Sequence, residues 1–246
     1  MRVEKYASTE KIGKYTGVLD PDELKLLEEL HVLNEPLNAP LSKWYNPNKI
    51  DGVIRIIEEA LRRIIGMACQ LTLFRELHVD DRKNLLKCGF CELLIVRGVM
   101  AFNKGEQSWN HSFGVAGKME VKIDLLKNPE TKDHYEQHKK LLETFGDDIR
   151  NNESLMLLFN AIVIFHPHYC NLRDSNRVHN SQARYFRILH KILLFEYEPQ
   201  RAELAYTNLL NQVVDLHRMN STMLHIFYGL DIHQLDPLVR ELCSFE

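Results

Sequence analysis

The sequence predicts an all-α fold, a three-layer helical sandwich carrying one small β element. Segments with helical apolar periodicity follow one another along most of the 246 residues. Two of them, Leu85–Phe102 (after Cys88) and Ser154–Phe165, are apolar nearly all round, as helices in the middle of a domain are. The chain also holds only 11 Gly and 8 Pro, few for the turns that strand sandwiches and barrels need.

Residues 1–19 have no periodicity and read as a flexible, hinge-like lead-in, with one domain over 20–246. The first helix starts at Asp20-Pro21-Asp22-Glu23: Asp20 suits the N-cap, Pro21 the first helical position, and Glu23 can close a capping box. Leu24, Leu27 and Leu30 form its apolar face, and Asn34–Asn48, with three prolines, is a loop. Ile50, Val53, Ile54, Ile57, Leu61, Ile64, Ile65, Ala68 and Leu71 follow the i, i+3, i+4, i+7 template, the best periodic segment in the chain. Asp80 and Asp81 favour the start of the next helix. Asn103–Met119 is a turn region, and the alternation of Met119, Val121 and Ile123 with Glu120, Lys122 and Asp124 suggests one short hairpin. Helices follow at Asp133–Thr144, from Asp174 and Ser175 to about Tyr197, from Pro199 to about Phe227, and in a short terminal piece over 236–245.

Composition excludes several classes. The net charge of −3 gives no basic stripe for nucleic acid. No secretory signal is visible, and no apolar run approaches the roughly 18 residues of a spanning helix. Five scattered cysteines fit a reducing compartment, so a soluble, intracellular protein with no membrane contact is expected. Cys88-Gly89-Phe90-Cys91 lacks the second pair of a zinc site, and His166-Pro167-His168 sits in a turn, so no metal or other cofactor is expected. With no phosphate loop, nucleophile elbow or paired carboxylates, no catalytic residue emerges and the chain does not read as an enzyme.

Arg97 is the most informative residue. It lies in an interior helix, where an unpaired guanidinium is costly. Glu92, about 140° around the helix, is not its natural partner. Arg97 either pairs with a distant carboxylate or carbonyl, or stands in the wall of an apolar cavity to receive a ligand's oxygen. His134 and His138, at i and i+4, mark either a pocket-lining face, a metal pair or a solvated face. The terminal helix is too short to persist undocked, so it is either a fixed closure of the core or a movable switch.

Two motifs then match a family. Phe74-Arg75-Glu76-Leu77 followed by Asp80-Asp81-Arg82-Lys83-Asn84-Leu85-Leu86-Lys87 resembles the signature of nuclear receptor ligand-binding domains, and Asp236-Pro237-Leu238-Val239-Arg240-Glu241-Leu242 resembles their activation helix. The likeness covers about residues 20–246 and implies an antiparallel sandwich of about 11–12 helices. Phe102, Ser108-Trp109 and Arg97 resemble the vitamin D receptor branch, and the ending Leu-Val-Arg-Glu-Leu-Cys resembles its invertebrate members, among them nematode receptors for dafachronic acids.

The resemblance implies a nuclear, ligand-switched transcription regulator that takes a steroid-like, bile-acid-like molecule, with Arg97 as its anchor. The ligand walls would come from Val53, Ile57, Ala60, Leu61, Ile64, Cys91, Leu94, Ile95 and Trp109, with Met223 and Phe227 towards the activation helix. His134, Gln137 or His138 would hold the second polar end, and Arg63 is a weaker candidate. An L-x-x-L-L coactivator helix would sit between Lys87 and Glu241 in a groove of Ile65, Cys69 and Leu238. Cys69 stands where the family has its main clamp lysine, and Arg82 replaces the signature glutamine, which puts coregulator preference in question. Leu209, Leu210, Val213 and Leu216 would form the face for a homodimer or a retinoid-receptor heterodimer. DNA contact is expected only through a separate zinc-finger domain. A constitutive coregulator-binding module and a related invertebrate xenobiotic or sterol receptor are the competing expectations.

Overall fold

The computed structural model describes residues 12–114, 117–127, 132–167, 171–228 and 235–243. Helix α1 (Pro21–Asn34) begins as its sequence requires: the Asp20 carboxylate accepts from the amides of Asp22 and Glu23, both at 2.9 Å, and Glu23 returns the bond to the Asp20 amide at 3.0 Å. The same Glu23 carboxylate receives Lys191 Nζ at 2.7 Å, so a local cap also ties α1 to a distant helix. A 3-10 turn, Glu35–Asn38, follows inside the segment expected as plain loop.

Helices α2 (Ile50–Ala68), α3 (Thr72–Arg75) and α4 (Val79–Ala101) come next, then a three-stranded sheet of β1 (Phe102–Asn103), β2 (Ser108–Phe113) and β3 (Gly117–Lys122). A second 3-10 turn (Ile123–Leu126) leads to α5 (Lys132–Thr144), α6 (Asp147–Arg150), α7 (Glu153–Ile164), α8 (Ser175–Glu196), α9 (Pro199–Tyr228) and α10 (Pro237–Cys243). These ten helices and the small sheet make the expected helical sandwich. The all-round apolar segments are its interior: every residue of Gly89–Val96 on α4 and of Ser154–Ile164 on α7 is buried. With α8 they form the middle layer, packed on one side by α1 and α2 and on the other by α5 and α9. Among the described residues no helix is long and apolar enough to cross a membrane.

Two expectations need correction. The single hairpin is a three-stranded antiparallel sheet, in order β1-β2-β3, with Trp109 opposite both Phe102 and Val121. Met119 and Val121 are buried as their alternation implied. The partner strand Ser-Trp-Asn-His-Ser-Phe was hidden by its polar composition, because only alternate side chains turn inward. Nor is the whole of 1–19 a loose lead-in: over 12–19, Ile12, Tyr15 and Leu19 are buried, and Tyr15 Oη donates to Glu196 Oε1 at 2.8 Å. Ile12, Tyr15 and Leu19 stand at i, i+3 and i+7, but the run is short and interrupted by Gly13 and Gly17. It therefore announces no element, although each residue finds a place in the core.

Asp81, in the first of the two motifs, ties the start of α4 to the start of α8. Fully buried at the start of α4, its carboxylate accepts from the amides of Arg173 (2.6 Å) and Asp174 (3.1 Å), just ahead of α8. Asp174 then caps α8 by accepting from the Arg177 amide at 2.9 Å. Asp81→Ala is expected to lower the unfolding free energy by about 1–3 kcal/mol, since charge-assisted bonds are lost and amides are left behind. The measurement is the denaturant midpoint at unchanged slope; a midpoint equal to the parent's would show the contact to be incidental.

Candidate ligand cavity and docking groove

A cavity of about 560 Å³ lies between α2, α4, α5, the sheet and the strap formed by residues 34–41. Its walls follow from the helix faces. Val53, Ile54, Ile57 and Ala60 come from the first half of α2, and Leu94, Ile95 and Arg97 from α4. Trp109 and His111 come from β2, His134 and His138 from α5, and Met223 from α9. Trp109 is fixed by its indole N–H, which donates to the Gly98 carbonyl at 3.0 Å.

Arg97 borders this cavity. Its guanidinium donates to the side-chain oxygen of Asn34 at 3.1 Å and to that of Asn38. Asn34 in turn donates to Glu153 Oε1 at 2.9 Å. Among the described residues no carboxylate lies within ion-pair distance of Arg97; Glu153 reaches it only through the neutral amide. Burial lowers the proton affinity of the guanidinium, Glu153 opposes that effect and Arg63 adds to it. Glu92 is not the partner: it pairs with His217 Nδ1 at 3.0 Å, and burial raises its carboxyl pKa.

The opposite polar end is neutral. Burial pushes His134 down to about 4 and His138 to about 3, with the neighbouring His134 adding to the effect on His138. The His138 ring meets Trp109 edge-on at 5.3 Å, and among the described residues neither of its nitrogens has a hydrogen-bond partner. A buried imidazole in that condition offers both a donor and an acceptor to a hydroxyl or carbonyl.

Several expected wall residues lie elsewhere. Leu61 and Ile64 are fully buried in the core; beyond Ala60 it is Arg63, and neither of these two, that α2 presents to the cavity. Cys91 is one helical turn before Leu94 and is likewise sealed in the core. Gln137, about 60° around α5 from the His134–His138 face, does not line the cavity. The side chain of Phe227 lies outside the described residues. Arg63, the weaker candidate, does line the cavity. Sequence reading missed Asn34, Asn38, His111 and Arg150. Asn34 and Asn38 fall in the segment that the sequence predicts as loop, and nothing local marks a loop amide as a guanidinium's partner.

The residues expected to form a coactivator groove differ in exposure. Lys87 on α4, Cys69 after α2 and Glu241 on α10 are exposed, with Ile65 and Leu238 half-buried. Helix α10 packs against α4 through a face that buries Val239 and Leu242. Its start is latched to α2. The Asp236 amide donates to Glu58 Oε1 at 2.7 Å, Asp236 pairs with Arg62, and the Asp236 carboxylate caps α10 by accepting from the Leu238 amide at 2.9 Å. Glu58, itself buried, also receives Arg55 at 2.8 Å.

The expected dimer face needs correction. Leu209, Val213 and Leu216 are buried in the core, and only Leu210 of the four is exposed. The apolar stripe 202, 205, 209, 213, 216 repeats at helical spacing and faces the core. Among the described residues, the exposed large apolar side chains of α9 are Leu204, Leu210 and Val214. Among the described residues no group of three or more His, Cys, Asp or Glu could hold a metal ion, and His168 lies outside them.

A helical sandwich around an apolar cavity, with a guanidinium in the cavity wall and a short terminal helix docked beside it, defines a small-molecule-binding domain of the receptor type. Residues 39–226 match the ligand-binding domain of nuclear hormone receptor, and the chain belongs to that family. It is 72% identical over 236 residues to the nuclear hormone receptor family member nhr-8 of Caenorhabditis elegans, covering 96% of this chain and 42% of that protein. It is 29% identical over 198 residues to the nuclear hormone receptor HR96 of Drosophila melanogaster, covering 80% and 27%. It is 22% identical over 235 residues to the vitamin D3 receptor of Gallus gallus, covering 92% and 51%. The chain thus spans about half or less of these relatives. Members of the family are ligand-regulated transcription factors, not enzymes; their ligand-binding domains bind small molecules and coregulators and dimerise.

Proposed function

We propose that this domain binds a carboxylated, bile-acid-like sterol of the dafachronic-acid type and, on binding it, stabilises the docked terminal helix to recruit an L-x-x-L-L coactivator in the nucleus. The observation that carries this reading is Arg97: a half-buried guanidinium in the cavity wall whose hydrogen bonds go to two neutral amides and not to a carboxylate. A ligand carboxylate there would supply the charge-assisted, bidentate partner that the protein does not. At the other end His138, and His134 beside it, suit a ring hydroxyl or keto oxygen, with apolar walls between for a rigid sterol body.

The coactivator helix would lie between Lys87 and Glu241, whose charges suit the two ends of a helix dipole. With Cys69 in place of a lysine, the groove has one basic residue fewer than the family pattern. Dimerisation, with a second copy or a retinoid receptor, would use the exposed Leu204, Leu210 and Val214 side of α9.

Binding of a labelled L-x-x-L-L peptide to the purified domain, with and without a 3-keto sterol acid, tests the reading. The acid is expected to tighten peptide binding at least fivefold, on the order of 1 kcal/mol of coupling. A specific observation favours a second reading, a constitutive coregulator module: the latch of Glu58, Arg62 and Asp236 holds α10 through contacts made outside the cavity. Equal peptide affinity with and without the acid would favour that reading and overturn the first.

A further inference from the structure

Arg97 shares its end of the cavity with two other basic side chains. Arg63 and His111 line the same cavity, from α2 and β2. The strap 34–41 gathers all three elements. Its Asn34 and Asn38 receive Arg97, the carbonyls of Ala39 and Pro40 receive Arg63 (2.7 Å to Pro40), and the Leu41 amide donates to the Ser112 carbonyl at 2.7 Å beside His111. His111 stands opposite Met119, on the strand face that carries Trp109 into the cavity, away from Lys118 and Glu120.

Two guanidiniums here meet two carboxylates, and each carboxylate is already engaged by protein groups. Arg63 is paired with Glu59 at 2.5 Å, and Glu59 also accepts from the amide and hydroxyl of Ser42. Glu153, behind Asn34, is the other carboxylate acting on Arg97. His111 therefore faces Arg97 from α4, Arg63 and Glu59 from α2 and the apolar Met119 of β3. Burial first, then the two arginines, hold its imidazole below its ordinary pKa, with Glu59 opposing.

An arriving anion reverses that balance. We infer that His111 is the third member of an anion cradle with Arg97 and Arg63, and that it takes up a proton from solvent as the ligand's carboxylate binds, so that the cavity's preference for acids over neutral sterols strengthens as pH falls. The inference rests on the reading that a carboxylate sits at Arg97. Because the complex holds more protons than the free domain, affinity for the acid rises as pH falls through the His111 pKa of the complex and levels off below that of the free domain. His134 and His138, held neutral to about 4 and about 3, do not titrate in this window.

The test is calorimetry with a 3-keto sterol acid and the matching neutral alcohol between about pH 8 and about pH 6, above the ordinary carboxylate range. The acid is expected to bind about three- to tenfold more tightly at the lower pH, with proton uptake visible as a dependence of the heat on buffer ionisation enthalpy, and the alcohol to show neither. His111→Gln should flatten the acid's profile to within about twofold, and a thermal midpoint close to the parent's reports that the variant is folded. The buffer comparison needs no variant. Acid binding tighter than the alcohol's but without proton uptake, or a slope that persists in His111→Gln, overturns the cradle and leaves the Arg97 reading standing. Acid binding no tighter than the alcohol's at any pH overturns both.

Discussion

Arg97→Met is expected to weaken binding of a carboxylated sterol by about ten- to hundredfold while leaving a neutral sterol alcohol within about threefold. The size follows from the bonds removed: hydrogen bonds to a charged group contribute about 1.5–3 kcal/mol, and each 1.4 kcal/mol is about tenfold in affinity. The fold should survive, because the partners left behind are amides and Asn34 keeps its bond to Glu153. Methionine matches the length of the aliphatic stem and adapts to irregular space. Direct binding of acid and alcohol to parent and variant checks this. Full affinity for the acid in the variant would remove Arg97 as the anchor.

Glu58→Ala is expected to lower affinity for an L-x-x-L-L peptide about tenfold or more, without acting through the cavity, which Glu58 does not line. Glu58 is buried and holds two partners; its removal leaves the Asp236 amide without its acceptor, whereas Arg55, 45% exposed, is taken up by water. Arg62→Ala removes the other half of the latch and should cost much less. The Arg62 side chain is 60% exposed, and ion pairs in such positions contribute only about 0–1 kcal/mol. The order of the two effects is the check, read by peptide binding and by hydrogen exchange of the amides of 236–243. An Arg62 variant weaker than the Glu58 variant would refute the assignment of the latch to the buried carboxylate.

Helix boundaries set by local chemistry were legible in the chain. Asp20 and Glu23 cap α1 with groups three residues apart, and Asp174 caps α8 in the same way, so neither depends on the rest of the fold. The interior placement of α4 and α7 was legible too, since a helix apolar on every side must be surrounded by protein. Arg97 could be singled out because it interrupts such a helix. The sheet was half legible: the apolar alternation of β3 announces it, whereas β2 reads as turn because Asn110 and Ser112 occupy its outer face.

Facing inward and facing the ligand are different properties, and periodicity reports only the first. Ile57 and Ala60 border the cavity while Leu61 and Ile64, on the same apolar stripe, are sealed in the core. On α9 the stripe through Leu209, Val213 and Leu216 was expected to meet a partner and instead meets the domain itself. In both cases the sequence states a preference for leaving water, and the neighbouring elements decide what replaces it.

The sequence by itself determined the helical architecture, its capped starts, the charged residue in its interior and the family to which those motifs belong. Tertiary structure alone decided that Arg97 rests on Asn34 and Asn38, that Arg63 and His111 join it, and that Glu58 holds the terminal helix from 178 residues away. The physical reason is range. Capping and amphipathicity act within a few residues of the chain, whereas a cavity exists only where several distant elements stop short of one another.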